Sequence, residues 1–376
     1  MKIFLDCTFL KNTRTGVDFA FLNLIENILL QDTNSEYTIL INTSYNVKPL
    51  LEAIGNSTNY KIKKIYSRLP LQILYSCFLM PFYLRYNKFD VYHNPFFFGP
   101  LLRFICPDTK VVITVYDMYY RTVPKMMGKY LSTLFKIFAE PAIKKADKII
   151  VISKQTADDV INFTNIQPSK VILIYLALVN NFEKKELIPT DLTKFDLENG
   201  KYILTVGTLL PSKGVDDLIR SFAILIKKYN YNDIKLVSAG MHVGNYVEEI
   251  KQLIESLNLN DGSIKLLGYV DDTDINSLYA GAMVYVSPSH YEGFGLTILE
   301  AMKHGIPVIA RNASSLIEVV SDAGLLFNNN NELVEQMHMI QSDNTLRSKL
   351  IIKGYERLKD FSWDVTAEKT LDVYKN

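Results

Sequence analysis

Hydrophobic and polar positions along the chain follow two alternating patterns. Short runs of apolar and β-branched residues predict buried strands, and apolar residues three or four positions apart predict amphipathic helices. The first cycle is a strand at Lys2–Cys7, followed by a helix with the apolar residues Phe19, Leu22, Ile25 and Leu29. Further strands of the N-terminal half are predicted at residues 37–41, 60–65, 90–93, 111–115, 148–152 and 171–174. This alternation predicts an α/β protein with a doubly wound parallel sheet.

The alternation stops after residue 174 and starts again at Tyr202. Residues 182–200 mix charges with Pro189 and have no sustained apolar period, so we predict a linker over 181–200. The second cycle has strands at 202–206, 234–239, 264–267, 307–310 and 324–327, and the end of the chain, 361–376, contains a final helix. The sequence therefore predicts an N-terminal domain at 1–180, a C-terminal domain at 201–360, and a ligand between the carboxyl ends of two tandem sheets.

Proline interrupts two of the longer apolar stretches. A helix is predicted within 72–86, and a long one over 129–146 should be kinked or divided at Pro141. The longest uncharged run, 69–84, is shorter than the roughly 20 residues of a spanning helix and contains Pro70 and Pro81. The N-terminus is a strand pattern without the apolar core of a signal peptide. We expect a cytoplasmic protein that does not cross a membrane.

Composition excludes several classes of function. The chain has 41 basic and 40 acidic residues, so no net field favours nucleic acid. The cysteines, Cys7, Cys77 and Cys106, lack metal or redox spacing and are typical of buried thiols in a reducing compartment. The histidines are equally scattered. A zinc site and a nucleic-acid partner are not expected.

The chemistry is concentrated at residues 287–307, which read SPSHYEGFGLTILEAMKHGIP. An apolar strand precedes this stretch, Gly293 and Gly295 form a turn, and a helix is predicted from Leu296. A strand, a glycine turn and an uncapped helix N-terminus make an anion site, because the first backbone N–H groups have no partner within the helix. The amides of Phe294–Leu296, with Thr297 in the first turn, are candidates to bind a phosphate.

Two carboxylates border this turn, Glu292 within it and Glu300 one turn into the helix. A carboxylate beside a phosphate site is suited to hydroxyl groups, such as those of a ribose or a hexose. The alternative is a solvated loop charge for Glu292 and an exposed helix residue paired with Lys303 or His304 for Glu300. Two glutamates around Gly-Phe-Gly after a buried strand favour the ligand interpretation.

The segment resembles the donor-binding signature of retaining glycosyltransferases of family 4, with Glu292 and Glu300 as the two glutamates of its E-x7-E motif. The similarity continues through 305–309, 314–319 and 322–324, and this extended run is similar to bacterial mannosyltransferase-like members that build surface polysaccharides. The resemblance implies the two-Rossmann GT-B fold, with an inter-domain cleft and a C-terminal segment that crosses back onto the N-terminal domain. Packing on the preceding domain is the alternative for that segment.

The loop after residue 206, with Gly207, Thr208 and Lys213, leaves the first strand of the second domain. Lys213 supplies a cation at the carboxyl end of a strand, where a diphosphate could be neutralised. The resemblance agrees, since the family places a lysine here against the donor diphosphate. Many members also have arginines where this chain has Thr208 and Ser212, so Lys213 is expected to provide the charge alone.

The N-terminal half contains four candidate residues. Gly16, in the run Thr15-Gly16-Val17-Asp18, resembles the family's first glycine loop, and an ordinary turn is an equal alternative. His93 ends a strand and is placed on the acceptor side, or is a structural histidine. Family members commonly have histidine near the transferred sugar where this chain has Tyr116. We assign Tyr116 to substrate contact and Asp117 to loop ordering or the acceptor.

Two further patterns are ambiguous. The string Asp272-Thr273-Asp274 could hold a metal in another fold, but it precedes a helix predicted at 275–281, and acidic residues there cap a helix. We therefore expect no metal and no cofactor. The segment 125–148 combines lysines with apolar residues and, together with the aromatic residues of 83–98, could contact an anionic membrane surface. A solvated helix face explains the same pattern.

The resemblance implies a retaining, metal-independent transfer of a hexosyl group from a nucleotide sugar to a glycan or lipid-linked acceptor. Catalytic roles are expected for Lys213, Glu292, Tyr116 and Asp117. GDP-mannose is the expected donor on the resemblance alone, and a UDP-sugar is the alternative. Two other interpretations remain, a nucleotide-sugar epimerase on the same fold and a catalytically silent, nucleotide-binding partner of another transferase.

Overall fold

The computed structural model describes residues 1–10, 16–43, 48–55, 59–66, 68, 71–178 and 191–376. The chain divides into two compact units. The first contains Met1–Asn180 and Phe361–Asn376, and the second contains Asn181–Asp360. Thr15 of the predicted glycine loop, and the first part of the predicted linker, lie outside the described residues.

The first unit is built on a parallel sheet in the order β3-β2-β1-β4-β5-β6-β7. Strand β1 lies between β2 and β4, and Ile3 pairs with Tyr37 on one side and with Val91 on the other. Chain order reverses at this point, which is where doubly wound sheets open a crevice. The strands are β1 (Lys2–Cys7), β2 (Glu36–Asn42), β3 (Tyr60–Ile65), β4 (Val91–Asn94), β5 (Lys110–Val115), β6 (Lys148–Val151) and β7 (Val171–Leu173).

Helices connect these strands, as the apolar spacing predicts. They are α1 (Gly16–Gln31), α2 (Lys48–Ile54), α3 (Leu71–Leu74), α4 (Met80–Asn87), α5 (Tyr119–Thr122), α6 (Pro124–Met127), α7 (Lys129–Leu134), α8 (Glu140–Lys145) and α9 (Lys154–Thr164). Of these, α5, α6 and α9 are absent from the sequence prediction, and α9 is the longest of the three. Its N-cap is Ser153, whose side chain accepts from the Thr156 N–H at 3.0 Å.

Two of the connections contain a π-helical turn before a proline. Tyr75–Leu79 joins α3 to α4 ahead of Pro81, and Phe135–Ala139 joins α7 to α8 ahead of Pro141. A proline has no N–H to donate and its ring crowds the carbonyl four residues earlier, so a wider turn accommodates it. The interruption predicted at Pro141 is therefore a π-helical turn within one continuous helical path.

The second unit has a parallel sheet in the order β10-β9-β8-β11-β12-β13. Its strands are β8 (Tyr202–Val206), β9 (Lys235–Ala239), β10 (Ile264–Gly268), β11 (Val284–Ser287), β12 (Val308–Arg311) and β13 (Leu325–Phe327). Its helices are α10 (Val215–Tyr229), α11 (Tyr246–Ser256), α12 (Asp272–Gly281), α13 (Leu296–Lys303), α14 (Leu316–Val320), α15 (Asn330–Ser342) and α16 (Asn344–Leu358). Each unit therefore has the doubly wound parallel sheet that the sequence predicts.

Helix α12 begins three residues before its predicted start. Its N-cap is Asp271, whose carboxylate accepts from the N–H groups of Thr273 and Asp274, each at 3.0 Å. The acidic string thus occupies the first helical turn, where the helix dipole favours negative charge. Asp274 in addition forms an ion pair with Lys194.

The last helix, α17 (Trp363–Lys375), packs on α1 in the first unit. The Trp363 indole N–H donates to the Leu178 carbonyl at 2.6 Å, and the Thr366 hydroxyl donates to the Tyr175 carbonyl at 2.7 Å. Seven of its thirteen residues are buried, so the contact is a core contact rather than a surface one. Of the two arrangements considered for this segment, it adopts the one on the N-terminal unit.

Among the described residues, no helix has both the length and the apolar composition needed to cross a membrane.

Candidate donor-binding site

Three adjacent strands of the second unit end at one edge of the sheet. Because β8 lies beside β11 and β11 beside β12, the loops that follow them meet at the carboxyl edge. Chain order reverses between β8 and β11, which is the usual position of a ligand crevice in such sheets. The loop after β8 contains Lys213, the loop after β11 contains Glu292, and the loop after β12 contains Ser314 and Ser315.

Lys213 and Glu292 form an ion pair, although they are 79 positions apart in the chain. The Lys213 Nζ lies 2.5 Å from the Glu292 Oε1, and the Ser289 hydroxyl donates to the same carboxylate oxygen at 2.9 Å. Both charged side chains are partly buried. The structure therefore brings together two of the residues that the sequence predicts for donor binding.

A close backbone contact fixes the position of Lys213. Lys213 ends a 3₁₀ turn, Pro211–Lys213, which Gly214 closes with φ of 63°. A Cβ on Gly214 would lie 2.3 Å from the Pro288 carbonyl oxygen, so only glycine allows the two loops to approach so closely. The His290 N–H also donates to the Ser212 carbonyl at 2.8 Å. Together these contacts hold the lysine loop against the glutamate loop.

Arg311, at the end of β12, ties the same loop to helix α10. Its Nε donates to the Pro288 carbonyl at 2.8 Å, and its Nη2 lies 2.6 Å from the Asp217 carboxylate. The guanidinium also stacks over Phe327, 4.9 Å from the ring centroid. With these partners Arg311 positions the loop, and the sequence analysis did not identify it.

Two serine hydroxyls hold the turn that contains Glu292. The Ser314 Oγ donates to the Glu292 carbonyl at 2.7 Å and lies 3.3 Å from the N–H of the same residue. The Ser315 Oγ, which is buried, lies 2.9 Å from the Glu292 carbonyl and 2.8 Å from the Phe294 carbonyl. These bonds orient the carbonyls of the turn toward β12. Both serines lie in a segment that carries the resemblance, but their contacts with the Glu292 turn were not predicted from the sequence.

Helix α13 begins at this turn. Its N-cap is Gly295, with φ of 108°, so no side-chain oxygen caps the first turn. Phe294 is buried, whereas Gly293, Leu296 and Thr297 are partly exposed. The Thr297 hydroxyl accepts from the Tyr285 hydroxyl at 2.8 Å, which fixes its orientation. An anion near this helix end would meet the positive end of the helix dipole.

Glu300 accepts a hydrogen bond from Tyr279, which the sequence analysis did not identify. The buried Tyr279 hydroxyl donates to the Glu300 Oε2 at 2.8 Å. Burial, and then the nearby Glu300 charge, raise the pKa of Tyr279 well above its usual value, so the phenol stays a donor. His304 stacks on the Tyr279 ring at 5.2 Å, and burial lowers the pKa of His304. The carboxylate therefore has a fixed orientation, as ligand binding requires.

The other predicted residues of this edge, Gly207 and Thr208, follow β8 directly and are partly exposed. The Gly207 N–H donates to the Ala239 carbonyl at 2.9 Å, which continues the pairing of β8 with β9. Within the described part of the chain, no three His, Cys, Asp or Glu side chains lie close enough together to hold a metal ion.

In the first unit, Tyr116 lies at the end of β5 and Gly16 begins α1. The Tyr116 side chain is buried, and burial together with the charge of Asp18 raises its pKa. Asp18 is itself buried in the first turn of α1. Tyr116 and the start of α1 therefore lie near one another. The sequence analysis did not predict a role for Asp18, which follows Gly16 in the predicted glycine loop.

Asp117 and His93 have partners within the protein. The Asp117 Oδ1 accepts from the Tyr119 N–H at 2.9 Å, which is the loop-ordering alternative. His93 is fully buried, with Nδ1 2.6 Å from the Tyr374 hydroxyl and Nε2 2.8 Å from the Thr114 hydroxyl. Burial lowers its pKa to about 3, so the ring is neutral. This geometry corresponds to the structural alternative for His93 and not to an acceptor contact.

Comparison with known proteins identifies two family models in the chain. Residues 189–357 match the model described as glycosyl transferases group 1, and residues 44–178 match glycosyltransferase family 4. These segments contain the donor-site loops of the second unit and β3 to β7 of the first.

Two curated relatives of Escherichia coli are mannosyltransferases. O-antigen chain mannosyltransferase B is 31% identical over 297 residues, which cover 78% of this chain and 76% of that protein. The serotype-specific mannosyltransferase WbdA is 28% identical over 237 residues, which cover 61% of this chain but only 29% of WbdA. The chain therefore corresponds to less than a third of WbdA and to most of the first relative.

Solved structures show the same fold. Anabaena Alr3699/HepE, crystallised with UDP and glucose, matches with a TM-score of 0.75 at 19% identity, over 100% of this chain and 99% of that one. At this identity the likeness shows the GT-B fold alone. The two family models and the 31% identical mannosyltransferase establish that the chain belongs to the glycosyltransferases of family 4.

Proposed function

We propose that the protein is a retaining, metal-independent glycosyltransferase that moves a mannosyl group from a nucleoside diphosphate sugar to a glycan or lipid-linked acceptor. The observation that carries the proposal is the meeting of Lys213, Glu292 and the start of α13 at adjacent strand ends. Cation, carboxylate and helix N-terminus are the groups that a sugar diphosphate requires. No cofactor takes part in this proposal.

In this proposal each group binds one part of the donor. Lys213 and the amides at Phe294, Gly295 and Leu296 bind the diphosphate, since both supply positive charge or N–H donors. Glu292 accepts from hydroxyls of the hexose, and Glu300 accepts from hydroxyls of the ribose. Gly207 and Thr208 line the β8 side of the donor.

The ion pair between Lys213 and Glu292 is compatible with these roles. A lysine ammonium has three N–H donors, so Nζ can bond the Glu292 carboxylate and a phosphate oxygen at once. Glu292, held also by Ser289, then orients the cation before the donor arrives. Such preorganisation avoids the cost of moving the charge during the reaction.

The chemical step separates charge between the sugar and the diphosphate. As the bond from the anomeric carbon to the diphosphate oxygen breaks, the leaving group gains negative charge, which Lys213 stabilises. The leaving diphosphate oxygen takes the proton of the attacking acceptor hydroxyl on the same face, so the anomeric configuration is retained. In this proposal Tyr116 contacts the substrate, Asp117 orders its loop or contacts the acceptor, and the backbone at Gly16 approaches the donor phosphate or the acceptor.

The transferred sugar, the donor nucleotide, the acceptor and the cellular location are each supported by a different observation. Mannose is supported by the mannosyltransferases among the relatives, and GDP-mannose is our choice of donor, with a UDP-sugar as the alternative. The acceptor is assigned to the first unit. Cytoplasmic location, with a peripheral contact to an anionic membrane surface, is supported by the lysines of 125–148 and by the lipid-linked acceptors that such transfer can use.

Thermal unfolding with a panel of nucleoside diphosphates and their sugars, with and without EDTA, tests the donor site. A ligand that binds only the folded chain raises Tm by mass action. We expect a selective rise with GDP or UDP species that EDTA does not change. No rise with any nucleotide would contradict the roles of Glu292, Glu300 and Lys213, and a rise lost in EDTA would contradict metal independence.

Product analysis then separates the functions that bind the same donor. A transferase consumes the donor only when an acceptor is present, and NMR of the product shows whether the configuration is retained. Release of an altered sugar without any acceptor would identify an epimerase. Donor binding without consumption, for every acceptor in a panel of mannosylated glycans and polyprenyl-linked saccharides, would identify a silent partner.

A further inference from the structure

Helical segments α3 and α4, with the π turn between them, expose a row of large apolar side chains. We define the apolar stripe as Leu71, Leu74, Leu79, Phe82 and Tyr86, all of which are exposed. They recur at intervals of three to five residues, so they share one face of the helical path. The opposite face, with Ile73, Cys77, Met80 and Leu84, is buried in the core of the first unit.

Neighbouring elements extend this apolar surface. Phe78 packs on Phe138 of the second π turn, with ring centroids 6.3 Å apart, so the two helical paths lie side by side. Tyr130 and Ile137 of the second path are exposed, and so is Phe104, in a 3₁₀ turn that contacts α4. Single exposed apolar residues are common, but a row of large ones along one helical face marks an interaction surface.

Apart from one buried glutamate, the charged residues of the two helical segments, 66–88 and 129–145, are all basic. Residues 66–88 contain no Asp or Glu, and the only acidic residue of 129–145 is Glu140, which is buried and bonded to Arg121. Among the cations, Arg85 lies 3.5 Å from the exposed Asp108, and Lys145 donates to the Leu101 carbonyl at 2.7 Å. The basic residues of the two segments are Arg68, Arg85, Lys88, Lys129, Lys136, Lys144 and Lys145.

We propose that the apolar stripe inserts into the surface of an anionic phospholipid bilayer, with the surrounding lysines and arginines at the headgroups. Apolar side chains on one helix face and cations beside them are the combination that binds a helix in the plane of a membrane interface. The exposed tyrosines Tyr86 and Tyr130 suit the same boundary, because their rings are apolar and their hydroxyls polar. This inference deepens the proposed membrane contact and rests on surface residues outside the donor site.

A second copy of the chain fits this surface less well than lipid does. Two copies joined through the stripe would bring like-charged residues together, and burying uncompensated cations is costly. Anionic headgroups instead neutralise each cation, at about 1 kcal/mol per residue near the surface. The basic residues beside the stripe therefore favour an anionic bilayer over a second copy of the chain.

Cosedimentation of the full chain with vesicles tests the inference. We expect binding to vesicles of phosphatidylcholine and phosphatidylglycerol, weaker binding to phosphatidylcholine alone, and a decrease with added NaCl. The double variant Leu79→Ser, Phe82→Ser should lower the partition coefficient roughly tenfold or more, because two large side chains no longer leave water. The double variant Lys129→Glu, Lys144→Glu should remove the preference for phosphatidylglycerol.

The matched control is Ile352→Ser, Tyr269→Ser, in the second unit. Its side chains are 62% and 57% exposed, against 58% and 56% for Leu79 and Phe82, so both double variants replace two similarly exposed apolar side chains by serine. This control should bind vesicles as the unchanged chain does, and circular dichroism should show all variants folded.

Three results would overturn the inference. One is no binding to either vesicle, and another is equal binding by the serine variant of the stripe. The third is a dimer of the unchanged chain, detected by light scattering, that the stripe variant converts to a monomer without a change in vesicle binding. Because the vesicle assay needs no donor, a failure here leaves the nucleotide-binding test unaffected, and the reverse also holds.

Discussion

Replacing Ser315 by alanine removes one hydroxyl from beneath the Glu292 turn. That hydroxyl is fully buried and lies within 2.9 Å of the carbonyl oxygens of Glu292 and Phe294. The Glu292 carbonyl keeps Ser314 as a donor, but the Phe294 carbonyl loses its hydroxyl partner. The substitution therefore tests whether the turn depends on this bond.

The expected cost follows from the burial of the groups involved. Removing one partner of a buried hydrogen bond costs about 1–3 kcal/mol, because the remaining group has lost water as well. For a unit of this size, each kcal/mol lowers Tm by roughly 2–4 °C, so a decrease of about 2–12 °C is expected. If about 1 kcal/mol of the loss falls on the conformation that binds donor, Kd rises roughly fivefold.

Thermal unfolding by circular dichroism and calorimetric titration with the donor nucleotide measure both effects. Ser342→Ala is the matched control, since its exposed hydroxyl donates to the His338 carbonyl at 2.8 Å within helix α15. The control should change Tm by less than about 1 °C, because water replaces the lost partner. A Ser315→Ala chain that unfolds and binds nucleotide as the control does would refute the reasoning.

Three further outcomes are expected. Lys213→Ala should lower kcat about 10²–10³-fold in a chain that stays folded, and wild-type turnover would remove its assigned role. Tyr279→Phe should raise the donor KM about threefold to tenfold with less effect on kcat, because Glu300 loses a charged hydrogen bond. The control Tyr37→Phe, which loses a tyrosine–carboxylate bond to Asp32 in the first unit, should leave KM unchanged, and equal KM values for the two variants would contradict the positioning. Burial lowers the pKa of His93 from 6.5 to about 3. Above pH 6.5 this residue therefore costs no stability. As pH falls from 6.5 toward 3, the unfolded chain binds a proton at His93 that the folded chain does not, and the free energy of unfolding decreases. Urea unfolding should show this component as about 2 kcal/mol between pH 7 and pH 5, and a His93→Gln chain with an unchanged pH dependence would contradict it.

Much of the fold could be predicted because local patterns determine it. The strands Lys2–Cys7, Tyr60–Ile65 and Tyr202–Val206 have the same bounds in the structure as in the prediction, since each is a short run rich in apolar and β-branched residues or alternates with polar ones. The start of α12 was placed too late, because Asp-Thr-Asp is unfavourable inside a helix but favourable in its first turn. The π turn before Pro141 was foreseen only as an interruption, since the sequence does not specify how the path is accommodated.

The composition of the site was partly predictable, and its contacts were not. Glycine and glutamate spacing marked Glu292 and Glu300, because both lie within one strand–turn–helix unit. Nothing local shows that Lys213 meets Glu292 or that Tyr279 meets Glu300, since these contacts depend on strand order. His93 could be interpreted in two ways until its partner Tyr374, 281 positions away, was known.

The position of α17 has a consequence for how the chain matures during synthesis. The first unit needs this helix to cover α1, yet the ribosome makes residues 181–360 before it. At 5–20 residues per second, those 180 residues take roughly 9–36 s. For that interval the nascent first unit exposes the face of α1 that α17 later helps to cover. A chaperone that binds such surfaces should therefore engage the nascent chain until translation passes residue 375.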